Sequence, residues 1–208
     1  MEALYYLIAI IDYEVGNLGS VKNALRYIGQ EAVVTSDPAE IRRADAVVFP
    51  GVGAFSNAME CLGRSGLTQA VEEAVRQDKL FLGICLGMQM LFDYSEEGGE
   101  KVDGLGLFRG SVRLLPRDKG LKVPHMGWNS LQVGDSPLFA GLPDNPYVYF
   151  VHSYYLDAQD KSIVAATCGY GVRFDAAIGR GRVFATQFHP EKSGETGLAI
   201  LKNWASMI

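Results

Sequence analysis

The sequence predicts an α/β fold: a doubly wound, mostly parallel sheet with helices on both faces, joined to a smaller mixed or antiparallel β region in the second half. Three observations predict it. Up to Phe92, short runs that are apolar throughout alternate with stretches of helical periodicity. Strands without a polar side are buried on both faces, which marks a parallel sheet covered by helices. From Lys101 to Phe188 the texture changes to closely spaced β-rich runs separated by Gly, Pro, Asn and Asp. The 208 residues contain no internal repeat, low-complexity segment or linker, so both textures are expected in one domain spanning residues 1–208.

The elements follow in order. Leu7 to Ile11 reads as a buried first strand; Leu18, Val21, Leu25 and Ile28 then recur at helical spacing until Gly29 stops the helix. Ala32 to Thr35 is a second strand. Asp37-Pro38-Ala39-Glu40 opens a second helix, with Asp37 as N-cap, Pro38 at the first helical position and Glu40 placed to close a capping box. A third strand covers Ala46 to Phe49. One helix runs through Leu62, and another carries Leu67, Ala70, Val71, Ala74 and Val75 on one face. Leu80 to Ile84 is a fourth strand, and Leu86 to Phe92 reads as a helix. In the second half the strands are Val112 to Leu115, Tyr147 to Leu156, Ile163 to Thr167, Ala176 to Ile178 and Val183 to Gln187. The aromatic and β-branched run Tyr147 to Tyr155 is expected at the centre of the sheet. Gly197, Leu201, Trp204 and Ile208 form one stripe of a final helix.

Composition narrows the function classes. With 48% hydrophobic and 21% charged residues and a formal net charge of -5, the chain has a core of ordinary size and no basic run. It therefore lacks an electrostatic footprint for nucleic acid or anionic membrane. Met1 to Ile11 is apolar but has no basic start and no cleavage site, so it reads as a strand rather than a signal peptide. Cys61, Cys85 and Cys168 are odd in number and widely spaced, without a CxxC pair. That pattern fits reduced thiols in the cytoplasm and argues against a disulfide scaffold or a metal site. No cofactor motif is present: Pro50-Gly51-Val52-Gly53 matches neither a dinucleotide fingerprint nor a P-loop.

The most informative segment is Gly83-Ile84-Cys85-Leu86-Gly87-Met88-Gln89. A buried strand runs into Cys85, glycines lie two residues to either side, and a helix starts at once. This is a nucleophile elbow with cysteine in place of serine. Without side chains at the glycines, strand and helix can approach closely and lift the thiol out of the sheet's end. The helix start favours a thiolate, and the Leu86 N–H faces the place where an acyl oxyanion would form. Cys61 and Cys168 lack that frame and read as packing thiols.

A thiol nucleophile needs a base. His189-Pro190-Glu191 follows the last strand, where proline ends the ladder and displays both flanking side chains. His189 is the candidate base and acid, and Glu191 the group that orients it. The Pro50 to Gly53 loop ends the third strand, next to the elbow in a doubly wound sheet. Its glycines free a backbone N–H, that of Val52, to complete an oxyanion hole.

Together these motifs resemble the class I (triad) glutamine amidotransferases, a flavodoxin-like α/β family, and the resemblance covers essentially the whole chain. It implies that Cys85 attacks the side-chain amide of L-glutamine, that His189 protonates the departing ammonia, and that water then hydrolyses a thioester. It further implies that Gln89, Glu97 and the backbone of Gly53, Ser153 and Tyr154 hold the glutamine, with Glu97 answering its α-ammonium group. Read on its own, Glu96-Glu97-Gly98-Gly99 is a solvated acidic turn.

Within the family, Ile11-Asp12-Tyr13 with Gly16-Asn17, Pro124 to Asn129, and Phe150 to Tyr155 resemble glutaminase subunits of histidine biosynthesis. Those subunits pass ammonia to a cyclase with a (β/α)8 barrel, as a heterodimer. One departure is visible: Glu14 stands where such chains usually have glycine. His125, Met126, Trp128 and Asn129, read as a loop, and Lys192 are the expected partner contacts. Composition alone leaves Trp128 equally open to being a core residue that anchors a turn. The alternatives are a triad glutaminase serving another synthase, of anthranilate or aminodeoxychorismate type, and a non-catalytic regulatory module of the same fold. A chain of this length has room for a glutaminase but little for a synthase, so a partner is expected.

Overall fold

The structure, a computed structural model, describes residues 6–117 and 120–208. Met1 to Tyr5, part of the expected first-strand segment, lie outside the described residues. The first half runs β1 (Ile8–Ile11), α1 (Leu18–Tyr27), β2 (Ala32–Thr35), α2 (Pro38–Arg43), β3 (Ala46–Gly51), α3 (Phe55–Ser65), α4 (Thr68–Arg76), β4 (Leu80–Cys85) and α5 (Leu86–Gln89). Then come β5 (Phe92–Ser95), β6 (Val102–Asp103), β7 (Phe108–Leu114), β8 (His125–Ser130) and β9 (Gln132–Val133). The chain ends with β10 (Tyr147–His152), β11 (Tyr154–Ala158), β12 (Val164–Tyr170), β13 (Val172–Arg180), β14 (Val183–Thr186) and α6 (Gly194–Ala205).

β2, β1, β3, β4 and β14 lie side by side and parallel, and β13, β11 and β7 extend the sheet antiparallel. Strand alternation sorts the core into two layers. Ile8, Ile10, Val48 and Leu82 face a cluster containing Val21 and Leu25 of α1 and Ile200, Leu201 and Trp204 of α6. Ala9, Ile11, Val47, Phe49 and Phe81 face Ile41 of α2, Phe55 and Leu62 of α3, and Val71 and Val75 of α4. Each such side chain, fully withdrawn from water, contributes about 1.5–3 kcal/mol. Apolar runs without alternation are required because both faces are covered. Among the described residues no helix is long and apolar enough to cross a membrane.

Four local expectations change. Asp37 does cap α2, its carboxylate accepting from the Ala39 N–H at 2.8 Å, but no capping box closes. The Asp37 N–H donates to the Thr35 hydroxyl oxygen at 3.0 Å instead of to Glu40.

The helix after the elbow ends at Gln89, not Phe92. The Met90 carbonyl accepts from the Leu105 N–H at 2.8 Å and the Leu91 carbonyl from those of Leu107 and Phe108, so neither is free for another helical turn.

The run Tyr147 to Leu156 is two strands broken at Ser153. β11 lies within the large sheet between β7 and β13, whereas β10 leaves it and pairs with β8 in a separate two-stranded sheet, so only part of the run is central. The Pro124 to Asn129 segment is accordingly mostly strand rather than loop.

Candidate active site

The carboxyl ends of β3, β4 and β14 adjoin, and the candidate residues gather there. Cys85 ends β4 with φ +55° and ψ −110°, a conformation that few non-glycine residues adopt. The surrounding glycines make it possible. A Cβ on Gly87 would overlap the Phe49 carbonyl oxygen, and one on Gly51 would lie 2.8 Å from the Gly87 nitrogen. A Cβ on Gly83 would come within 3.0 Å of Ala185. The elbow thus depends on bare backbone where α5 crosses β3 and β14.

His189 follows β14 and is almost fully buried. Its N–H donates to the Tyr149 carbonyl at 3.0 Å, and its carbonyl accepts from the Ser193 hydroxyl at 2.7 Å. The Ser193 oxygen in turn accepts from the Tyr149 N–H, so β10 grips the turn on both sides. The imidazole Nδ1 lies 2.8 Å from Glu191 Oε1, with both side chains shielded from solvent. That contact places the neutral ring's proton on Nδ1 and leaves Nε2, which is buried without a hydrogen bond, as the unpartnered nitrogen. Burial alone would lower the imidazole's pKa. The neighbouring Cys85 sulfur and Glu191 outweigh it and raise the value to about 10, favouring the imidazolium.

Cys85 and His189 share a cavity of about 260 Å³. Its walls include Val52, Gly53, Leu86, Gln89, Glu97, Ser153 and Tyr154. Every residue expected to hold substrate or an oxyanion therefore lines one cavity with Cys85. The break between β10 and β11 brings the Ser153 and Tyr154 backbone to the wall. Gly53 turns at φ +91°. Beneath the loop, the buried Tyr13 hydroxyl donates to the Pro50 carbonyl at 3.0 Å. Glu97 is half-buried rather than a solvated turn residue: its Oε2 accepts from the Phe55 N–H at 2.6 Å, capping α3, which has no side-chain cap of its own. Among the described residues no group of three or more His, Cys, Asp or Glu could hold a metal ion.

The expected partner residues divide. Period two along β8 turns Met126 and Trp128 outward, 63% and 55% exposed. His125 and Asn129 turn inward, which corrects their expected place at the surface. His125 is buried, stacks on Tyr170 at 3.9 Å between ring centroids, and its Nδ1 lies 3.0 Å from His152 Nε2. The half-buried Asn129 amide reaches both His125 Nε2 and the Gly169 carbonyl. Lys192 is exposed on the turn that carries His189 and Glu191.

Two neighbours of the Cys85 sulfur were missed from the sequence. Val151 offers its carbonyl to the Cys85 thiol at 4.0 Å, and Gln187 donates from Nε2 to the sulfur at 3.6 Å. An amide side chain in the mostly apolar run Val183 to Phe188, two positions before His189, was the available signal for Gln187.

A model of the glutamine amidotransferase class-I family matches residues 9–207. The chain is 50% identical to imidazole glycerol phosphate synthase subunit HisH of Caldanaerobacter subterraneus subsp. tengcongensis, over 97% of this chain and 98% of that one. It is also 50% identical to the HisH subunit of Thermosynechococcus vestitus, over 97% of each. The HisH subunit of Methanosarcina barkeri is 48% identical over 96% of this chain and 98% of its own. Among solved structures, PurLQS from Thermotoga maritima superposes with a TM-score of 0.75 at 19% identity, over 98% of this chain and 99% of that one. That likeness concerns the fold alone.

Proposed function

The chain belongs to the class-I glutamine amidotransferase family, and from that premise we propose that it is the glutaminase subunit of an imidazole glycerol phosphate synthase. It hydrolyses L-glutamine and delivers ammonia to a cyclase subunit, a (β/α)8 barrel, which forms imidazole glycerol phosphate and aminoimidazole carboxamide ribotide in histidine biosynthesis. The specific synthase rests on near 50% identity along almost the whole length of HisH chains. The chemistry rests on one observation above all: Cys85, on its strained elbow, lines one cavity with a histidine whose far nitrogen is held by a buried carboxylate.

The steps follow from these groups. The Cys85 sulfur attacks the side-chain amide carbon of glutamine, and the thiol proton resides on His189 Nε2. Backbone N–H groups of Val52 and Leu86 stabilise the oxyanion of the tetrahedral intermediate. His189 gives its proton to the amide nitrogen as the C–N bond breaks, releasing ammonia and leaving a thioester. Water then loses a proton to His189, attacks the thioester and frees glutamate, and the sulfur leaves as thiolate. Gln89, Glu97, Gly53, Ser153 and Tyr154 hold the amino-acid end of the substrate. Ammonia released into neutral water becomes non-nucleophilic ammonium, so a dry path into a docked cyclase preserves the reactive base. Because the reaction uses only these side chains and backbone groups, one glutaminase domain suffices, without a cofactor.

Cys85→Ala tests the mechanism. Glutamine hydrolysis by the complex with cyclase is expected to fall to background while cyclase binding, followed by calorimetry, is retained. Normal turnover in that variant would overturn the mechanism. Failure of the unaltered chain to bind a cyclase or supply it with ammonia would overturn the assignment to this synthase.

A further inference from the structure

Gln187 has no part in those steps, yet its side chain touches the reacting atom. It is fully buried, donates from Nε2 to Cys85 Sγ at 3.6 Å, and accepts at Oε1 from Gln89 Nε2 at 2.8 Å. Gln89 Nε2 also donates to the Tyr154 carbonyl at 2.9 Å. A backbone carbonyl only accepts, so it fixes which way the Gln89 amide points. Gln89 then faces Gln187 with an N–H and can only meet its oxygen, which turns the Gln187 N–H group toward the sulfur.

The sheet makes the same placement from the backbone. Thr186 pairs with Ile84 in the parallel register, so Gln187 and Cys85 leave the sheet as neighbours. Gln187 and His189, two residues apart, approach the sulfur from the same segment.

We propose that Gln187 is a further catalytic residue of the glutaminase site: a neutral hydrogen-bond donor that stabilises the Cys85 thiolate and fixes the sulfur for attack on the amide carbon. This rests on the triad reading above. A hydrogen bond to an anion is stronger than one to the neutral form, so a donor here shifts the thiol toward ionisation. The Val151 carbonyl on the sulfur's other contact can only receive the thiol proton and therefore acts in the opposite sense. The charged or titratable groups around the sulfur are His189 with Glu191 behind it, His152 at the end of β10, Glu97 across the cavity, and Tyr13 beneath the loop. Gln187 adds no charge to this set, so its contribution is separable from that of His189.

The test is the rate of Cys85 alkylation by iodoacetamide as a function of pH, read on the Cys85 peptide by mass spectrometry. Gln187→Met removes the donor at similar volume, and Gln187→Glu puts an acceptor in its place. The midpoint is expected to rise by about one pH unit in Q187M and further in Q187E. Glutamine kcat with cyclase bound should fall about 10- to 100-fold, the effect of one lost hydrogen bond to a charged group, with KM nearly unchanged. A buried position carries a folding risk, so a measurement on the unaltered chain stands beside the variants. The Gln187 side-chain amide proton, followed by NMR, should titrate with the same midpoint as Cys85 alkylation.

An alkylation midpoint unmoved in both variants, or an amide resonance indifferent to the cysteine's ionisation, would overturn the proposal. Alkylation needs no glutamine. If the unaltered chain proved not to be a glutaminase, turnover would be absent while the alkylation profile still reported whether Gln187 acts on the sulfur.

Discussion

Two non-glycine residues in the left-handed region show how the same backbone strain can be used or merely tolerated. At Cys85, φ +55° is what projects the sulfur into the cavity, and three crowded glycines hold it there. Glu14 lies at φ +71°, in a turn closed by its N–H donating to Asp12 Oδ1 at 3.0 Å. Its side chain is exposed and lies 3.5 Å from that of Arg64, also exposed, an arrangement worth little. The observed φ is one that glycine adopts without the cost a side chain brings. Glu14→Gly should stabilise the fold by about 0.5–1 kcal/mol, the left-handed penalty of a side chain less the entropy cost of glycine. In a thermal melt this is a rise of roughly 1–4 °C; a fall would mean that the Arg64 contact outweighs the strain. Cys85, His189 and Glu191 could be singled out as candidates because each sits in a local motif whose neighbours announce it, and the structure brings them together. Gln187 was not, since its significance depends on a register between strands about a hundred positions apart.

At the scale of elements, local pattern sufficed where burial and hydrogen bonding are settled within a single βα unit. β2 and the start of α2 are read directly from apolar runs and the Asp37-Pro38 cap. The end of α5 was illegible because distant amides of Leu105, Leu107 and Phe108 take the carbonyls of Met90 and Leu91 just beyond it, which no helical periodicity records. The break at Ser153 was hidden for a similar reason, as one residue separates two equally β-prone strands assigned to different sheets.

That second sheet, β8 with β10, carries a testable property. His152 Nδ1 lies 2.9 Å from the Tyr154 carbonyl and must donate to it, which leaves Nε2 to accept from His125 Nδ1. His125 Nε2 then accepts from the Asn129 amide. The chain is complete only when both rings are neutral. Burial lowers His125 to about 4 and His152 to about 3, with mutual repulsion adding to the latter. The unfolded chain, with histidines near 6.5, therefore binds more protons below that pH. Stability is present above about 6.5 and is lost as pH falls toward 4, by up to about 2.7 kcal/mol per unit for the pair. Urea titrations at pH 7, 6 and 5 should reveal the slope. His125→Gln, which keeps a donor for His152 but does not titrate, should roughly halve it. An unchanged slope would assign the acid sensitivity elsewhere.

For the molecule as a whole, the question is why the cavity lies where it does relative to the exposed apolar residues. Pro124 lines both the cavity and a neighbouring recess formed with Leu121, Met126 and Tyr170. Trp128 lies further along the outward face of β8, beside Tyr149 and close to Gly194, two residues after Lys192. The surface proposed for the cyclase thus runs from the cavity wall to the turn that carries His189, and a protein docked on it would exclude water where ammonia is released. The sequence named Met126, Trp128 and Lys192 for this face but could not separate them from His125 and Asn129. Strand alternation makes that separation only once the segment is known to be a strand. Trp128 offers a large half-exposed ring near the middle of this surface, whereas Lys192 offers a solvated charge at its side. Trp128→Ala should weaken cyclase binding about 10-fold or more, the usual effect of truncating an interface tryptophan, and should depend little on salt. Lys192→Ala should cost less and should lose most of its effect as ionic strength rises, because exposed charges are screened. Calorimetric titration of the chain with cyclase at low and high salt measures both. Equal and salt-independent affinities for the two variants and the unaltered chain would move the docking surface away from β8, and with it the exit proposed for ammonia.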